Sequence, residues 1–300
     1  MAPRPCPACG HHVSSCLGHV EGWHLLRCVS CGSAYTAGTT QADLDEHYDA
    51  YYSEDNLAAP EFVSTALDRI FATFQPYRRT GRLLDVGFGG GFTMLAAVRH
   101  GWDAEGVEVS ASAIKNAESL GLRVHHGDLA SADYGDDEFD VVILAEVLEH
   151  VTDPRPLLDE VYRVLRPGGL LWGTTPHGSG LSAKLLGLHW SVLRPPEHLQ
   201  LFSIRGMRHV LTATGFSLDA LLTESFNPFE VLHLLRGRLA GSVVAEQGFD
   251  RVHSGYEVLG TVYRRRSLRM AKQAMDQALH VTGLGDSIKI WASKPSRPSM

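Results

Sequence analysis

The sequence predicts an α/β domain on a mostly parallel sheet, with a small metal-bound module in front of it. Two observations predict this. From about residue 81 to 225, short apolar runs alternate with helical patterns, as parallel strands covered by helices do. All five cysteines fall within the first 31 residues, in a stretch with too little apolar periodicity to build its own core.

The elements follow in order. Leu83 to Val86 reads as the first strand, and Phe92 to His100 as a helix ended by Gly101. Ala104 to Val109 is the second strand, and Ser110 can cap the helix that stops at Gly121. Leu122 to His126 is the third strand. Phe139 to Leu144 is the fourth, a continuous apolar run suited to burial on both faces. Asp153 is a good N-cap with Pro154 at the first helical position, and Leu157, Leu158, Val161, Val164 and Leu165 make one apolar stripe. Pro167-Gly168-Gly169 ends that helix before the fifth strand, Leu170 to Thr174. A helix from about Ile204 to Thr214, a strand from Phe216 to Leu222 and an alternating run, Ser287 to Ala292, complete the pattern. The expected organisation is a ribbon over 1–40, a helical connector over 41–78, and the α/β domain over 79–300, with a helical insertion at 226–282 before the last strand.

The bulk properties narrow the function classes. The chain has 300 residues, 44% hydrophobic and 20% charged, which fits a folded protein. A net charge of -7 weighs against a protein that mainly grips nucleic-acid backbone. No apolar run is long enough to span a bilayer, and the N-terminus lacks the apolar core of a secretory signal, so a cytoplasmic location is expected.

Cys6-Pro7-Ala8-Cys9-Gly10 and Cys28-Val29-Ser30-Cys31-Gly32 are two C-x-x-C-G knuckles with 18 residues between them. That spacing suits a tetrahedral four-cysteine zinc site, and a glycine after each pair suits the tight turn such knuckles need. Four thiolates fill the coordination sphere, so the zinc is expected to be structural. Cys16 is left over, and His11, His12, His19 and His24 are further ligand candidates.

The run Leu83-Leu84-Asp85-Val86-Gly87-Phe88-Gly89-Gly90-Gly91-Phe92 leaves a strand and enters a helix, where backbone amides can meet a ligand. A dinucleotide fingerprint would place its third glycine at position 92, which is Phe. The run instead resembles the first motif of class I S-adenosylmethionine (SAM)-dependent methyltransferases. Later motifs are similar in order: Glu108 at the end of the second strand, Gly127-Asp128-Leu129 after the third, Ala145-Glu146-Val147-Leu148-Glu149-His150 after the fourth, and Arg166-Pro167-Gly168-Gly169 after the next helix. The resemblance covers roughly residues 45 to 225 plus the last strand, and implies a Rossmann-like seven-stranded sheet whose last strand is antiparallel. It implies SAM contacts from Asp85, Gly87, Phe88, Gly89, Gly91, Glu108, Asp128, Leu129 and Ala145. In that family the acid at Glu108 holds the ribose hydroxyls and the one at Asp128 faces the adenine amine. Taken singly, Glu108 is also an ordinary solvated carboxylate and Asp128 an ordinary turn residue. Tyr48, Tyr51 and Tyr52 either close over the amino-acid end of SAM, as similar tyrosines do in related enzymes, or pack hydrophobically.

Glu197-His198-Leu199-Gln200-Leu201-Phe202-Ser203 resembles a segment of zinc-ribbon deoxysugar C-methyltransferases. The match implies His198 as the catalytic base with Glu197 as its partner. Those enzymes often carry Tyr where this chain has Pro195, and a third domain for which this chain is too short. A histidine titrates near neutral pH, as a base should; the alternative is that His198 caps or packs on the next helix. His150 is a further candidate. In the insertion, Arg264-Arg265-Arg266, Arg269 and Lys272 read either as a solvated helix face or as a site for an acceptor phosphate, and the pattern also suits peripheral contact with an anionic membrane. The expected function is methylation of a small-molecule acceptor, a sugar, glycan or natural-product intermediate, at oxygen or carbon. The alternatives are ribosomal-RNA base methylation and a non-catalytic SAM-binding scaffold. Only Arg4 and Arg27 are fixed cations in residues 1 to 40, few for an RNA-guiding ribbon.

Overall fold

The computed structural model of the chain describes residues 4–38, 61–239 and 266–296. They fall into two compact units. A ribbon unit takes in the described residues of Met1–Gly38, Pro176–Gly206 and Leu222–Ile288; a sheet unit takes in those of Thr39–Thr175, Met207–Leu221 and Lys289–Met300.

The ribbon unit begins with a hairpin of β1 (Ser14–Val20) and β2 (Trp23–Cys28), followed by β3 (Ala34–Thr36). Glu21 and Gly22 form the two-residue turn, with φ of 49° and 85°. Two left-handed residues in succession match the right-handed twist of the flanking strands. β3 pairs antiparallel with β9 (Gln200–Leu201), which completes a four-stranded sheet in the order β1-β2-β3-β9. A small core of Ala34, Leu186, Trp190, Val192 and Leu201 backs this sheet, with Leu17, Val231 and Leu234 packed against it. Leu186 belongs to α5 (Leu181–Leu186), and Val231 and Leu234 to α7 (Pro228–Leu239). α8 (Arg266–Thr282) is exposed along most of its length.

The sheet unit is built from the expected alternation. In chain order it holds α1 (Glu61–Phe74), β4 (Arg82–Val86), α2 (Phe92–Arg99), β5 (Asp103–Glu108), α3 (Ala111–Ser119), β6 (Arg123–His126), β7 (Phe139–Ala145), α4 (Pro154–Val164) and β8 (Leu165–Pro176). After α6 (Ile204–Thr214), β10 (Ser217–Glu224) and β11 (Ser287–Ser293) close the sheet at one edge. The order is β10-β11-β8-β7-β4-β5-β6, with β4 to β8 parallel and the last strands antiparallel. Phe71, Phe74, Leu83, Val141, Ile143 and Leu170 form the core with essentially no exposure. Both expected caps are present: the Ser110 hydroxyl accepts from the Ala113 amide at 3.4 Å, and Asp153 accepts from the Arg155 amide at 3.0 Å.

β8 is longer than its apolar run, because Arg166 to Gly169 continue the strand rather than preceding it. Its register to β7 is irregular there, passing from Phe139↔Leu165 to Val141↔Leu170. Backbone bonds between Gly168, Gly169 and Lys294 keep the detour extended. The Arg166 guanidinium pairs with Asp140, whose other oxygen accepts from the amides of Arg79, Thr80 and Gly81 at 2.7 Å each. Burial works against the Asp140 charge, but Arg166 and these amides hold its pKa below the usual carboxylate value.

Candidate functional site

β4, β5, β6 and β7 are parallel neighbours, so the residues following them line one edge of the sheet. Open α/β sheets present their ligand-binding loops there. After β4, Gly87, Gly89 and Gly91 all have positive φ, at 71°, 52° and 77°. A Cβ on Gly87 would also lie 2.7 Å from a Val147 methyl. The chain turns tightly here, and its Gly87 and Gly91 amides donate within the fold, to the Val107 carbonyl at 2.8 Å and the Phe88 carbonyl at 3.0 Å. Asp85 is 1% exposed, and its Oδ2 has no hydrogen-bond partner among the described residues. Burial pushes its pKa up to about 8, and the Glu108 charge adds to the rise. A buried acid with an open oxygen suits a cationic or hydrogen-bond-donating ligand group.

Glu108 ends β5 and braces the glycine loop. Its Oε2 accepts from the Gly89 amide at 3.0 Å, and its Oε1 accepts from Val109 at 2.8 Å and Ser110 at 3.1 Å. A carboxylate offers about four lone-pair positions, so a pair of ligand hydroxyls must displace an amide as well as take the remaining position. The loop after β6 lies beside it, with the Gly127 amide donating to the Glu108 carbonyl at 2.9 Å. Asp128 is exposed there, and its Oδ1 closes a turn by accepting from the Ser131 amide at 2.8 Å. Leu129 is buried. The Phe88 side chain points into a cluster with Met94, Ala113 and Ile114, which leaves its backbone as the part that can meet a ligand. Ala145 ends β7, paired with Thr174. Tyr48, Tyr51 and Tyr52 lie outside the described residues.

After β7 the chain turns through Glu146, at a φ of 56°. Glu149 follows, fully buried, with the Thr175 hydroxyl donating to its Oε2 at 2.9 Å and no partner for Oε1 among the described residues. Burial, then the neighbouring Glu146 charge, raises its pKa well above the usual value. His150 Nε2 lies 3.9 Å from Glu149 Oε1. Glu149 was not foreseen as a site residue; the signal available was an acid three positions after Glu146, directly following an apolar stretch.

In the ribbon unit, the His198 loop is anchored by Trp190 and Val192, both essentially buried. His198 Nδ1 lies 2.7 Å from the Val192 carbonyl oxygen. A carbonyl only accepts, so Nδ1 carries the hydrogen and Nε2 is the basic nitrogen of the neutral ring. Glu197 Oε1 is 4.0 Å from that Nε2, beyond hydrogen-bond length. The loop is fixed from α7 as well, where Glu230 Oε1 accepts from the Ser191 amide at 2.7 Å.

The thiols of Cys6, Cys9, Cys28 and Cys31 lie within 4.8 Å of one another, with Cys6–Cys31 and Cys9–Cys28 both at 3.6 Å. Tetrahedral zinc with bonds of about 2.3 Å sets sulfur separations of about 3.8 Å, so the four fit such an ion. Gly10 and Gly32 have φ of 71° and 83°, as the knuckles require. Burial pushes the Cys9 pKa up to about 11, while the hydrogen bond shared with Cys6 lowers that of Cys31 to about 4. A divalent cation would remove the cost of holding four such thiolates together. Of the basic run, Arg264 and Arg265 lie outside the described residues, and Lys272 forms an ion pair with Asp276.

Comparison with known proteins gives a consistent result. Residues 56–221 match the model of a family described as a methyltransferase domain. The chain is similar to a ubiquinone biosynthesis O-methyltransferase of Maricaulis maris, 32% identical over 49% of this chain and 63% of the relative. It is also similar to the mitochondrial ubiquinone biosynthesis O-methyltransferase of Bos taurus, 28% identical over 61% of this chain and 54% of that one. The matches thus span less than two thirds of these relatives' lengths. Among solved structures, a SAM-dependent methyltransferase from Archaeoglobus fulgidus shares the fold, with a TM-score of 0.53 at 18% identity, covering 80% of this chain and 97% of the other.

Proposed function

We propose, from the premise that this chain belongs to the methyltransferase domain family, that it transfers a methyl group from SAM to a small-molecule acceptor. The observation that carries the reading is the edge built by Asp85, the glycine loop and Glu108: a buried acid with an open oxygen beside a tightly turning glycine loop that the Glu108 carboxylate braces. SAM, when bound there, supplies a methyl group already activated by a sulfonium. Asp85 would meet the ligand's cationic end, and Glu108 its paired hydroxyls, with the Gly89 amide passing to the ligand. Asp128 and Leu129 would border the adenine, with Gly87, Phe88, Gly91 and Ala145 shaping the wall through their backbones. Tyr48 belongs to the same proposal.

The chain's chemical task is to hold the acceptor and take its proton. His198 does this at Nε2, its tautomer set by the Val192 carbonyl, with Glu197 supporting the charge that develops; His150 is the second proton-handling candidate. The acceptor class follows the names of the relatives, whose ubiquinone chemistry is O-methylation of a small molecule; sugar, glycan and natural-product acceptors remain within the proposal. The cations of the ribbon do not favour RNA. Arg27 donates to the carbonyls of Gly32 and Gly178, and Arg4 to those of Thr36 and Leu199, so both are engaged internally. The pairing of Lys272 with Asp276 favours a solvated face over a phosphate site. The proposal keeps the ribbon at 1–40, structural zinc on the four cysteines, and a cytoplasmic location, where reduced thiols serve metals. No helix among the described residues is long and apolar enough to cross a membrane.

The test uses SAM with a labelled methyl group and separated small-molecule, glycolipid, protein and RNA fractions. Label enters a small-molecule fraction with the wild type, and His198→Ala cuts turnover by about 10²- to 10⁴-fold while SAM affinity is kept. Unchanged turnover removes His198 as the base, and label in RNA overturns the acceptor class.

A further inference from the structure

The hairpin of the ribbon unit carries a pair of imidazoles able to ligate a metal, separate in composition from the four cysteines. His19 and His24 are direct cross-strand partners, one residue pair in from the Glu21-Gly22 turn. Both are exposed. Their rings meet edge to face with centroids 4.0 Å apart, and their Nε2 atoms are 3.3 Å apart.

That separation is informative. Two imidazole nitrogens bound to one tetrahedral ion at about 2.0–2.1 Å stand about 3.3–3.4 Å apart. The two nitrogens therefore already have the spacing of a chelate, on a turn whose two residues both adopt the left-handed geometry a tight hairpin requires. A preset pair loses little conformational freedom on binding. A hydrogen bond between the rings would give a similar distance, with one Nε2 donating to the other, and that arrangement competes with a cation for the same lone pairs.

We propose that His19 and His24 form an exchangeable site for a borderline transition cation of the zinc, nickel or copper class. Imidazole pairs suit these ions, while calcium and magnesium demand oxygen donors. Each ring would bind through Nε2 and carry its hydrogen on Nδ1. Two protein ligands leave coordination positions for water or for a donor from another molecule, so the site is open where the four-cysteine site is closed.

The experiment titrates Ni²⁺ into full-length protein whose cysteine site is already loaded with zinc, following heat by calorimetry and zinc content by elemental analysis. The wild type is expected to take up one additional equivalent of Ni²⁺ with its zinc retained. His19→Ala and His24→Ala should each weaken that uptake at least tenfold, and His11→Ala and His12→Ala should leave it unchanged. Both target residues are exposed, and unchanged zinc content in each variant verifies that the ribbon is folded. Absence of the additional equivalent in the wild type, uptake unaffected by either target variant, or uptake lost with the His11 or His12 variants overturns the proposal.

Discussion

In the seven-stranded sheet, Leu83, Leu84, Val141, Val142, Ile143, Leu170 and Leu171 are all buried to 0% exposure, and helices supply the rest of the core. The four-stranded sheet has much less to bury. β1 has no fully buried residue, and β2 has only Leu25 and Cys28. Its order comes from the cysteine cluster and from bonds to residues far along the chain: the Ser203 amide donates to the Ser33 hydroxyl at 3.0 Å, and the Ser203 hydroxyl donates to the Cys31 carbonyl at 2.6 Å. Gly206 fits because a Cβ there would lie 2.2 Å from Ser33 Oγ. One region is stabilised by area removed from water, the other by a metal-ready cluster and directed polar contacts. The difference teaches that the loop holding the proposed base depends on the second kind of stability, because β9 begins two residues after His198.

The largest expected effect breaks the sheet at the buried ion pair of Arg166 and Asp140. Asp140→Asn leaves the Arg166 guanidinium without its counter-charge and should cost about 3–5 kcal/mol, read by denaturant titration; a loss below about 1 kcal/mol would show the clamp to be dispensable. Breaking the other region should act on chemistry. With Cys31→Ala, or after zinc removal, amide exchange at Ser203 should accelerate and turnover should fall by about 10²-fold or more, with SAM affinity within about threefold. Loss of SAM binding together with turnover would mean that the regions do not differ as described.

Asp85→Asn sharpens the comparison through pH. Folding raises this carboxyl from an ordinary value of 3.8 to about 8, so the ligand-free fold binds the proton more tightly than the unfolded chain does. Its contribution therefore disfavours the fold increasingly as pH rises from about 4 to about 8, then levels off. A cationic ligand favours the ionised form, so SAM should bind more tightly with rising pH through the upper part of that window. The Asn variant should bind SAM about tenfold or more weakly and show a flatter dependence of both binding and Tm; an unaltered pH dependence would remove Asp85 from the site. The smallest effect is expected from Ser110→Ala, which removes the cap of α3 and should cost about 1 kcal/mol in thermal or denaturant unfolding.

Much of the sheet unit was legible because its information is local. The buried run at Phe139 and the caps Ser110 and Asp153 each declare their element within a few residues. Arg166 was less so: it reads as part of a turn, whereas its strand neighbours, Lys294 by backbone bonds to Gly168 and Gly169 and Asp140 by its side chain, lie far away in sequence. The ribbon hairpin was missed for a related reason. β1 and β2 bury too little to show a clean alternation, and only the Glu21-Gly22 turn marks them. Glu149 shows the limit for the site: the sequence places it in a motif after the fourth strand, whereas its burial and its bond to Thr175, 26 residues later, are set by the fold.

The pairing of β3 with β9 also bears on the order in which the chain matures during synthesis. Ala34 finds its partner in Leu201, so the edge of β3 stays open while more than half of the chain is made. An unpaired strand edge is a template for other chains, and contacts so distant in sequence are slow to form. Early metal capture by the knuckles would limit that exposure by holding the N-terminal segment in one shape. The ribbon would then serve as a waiting structure for a nascent polypeptide, and zinc scarcity would show first as aggregation of newly made chains rather than as failure of finished ones.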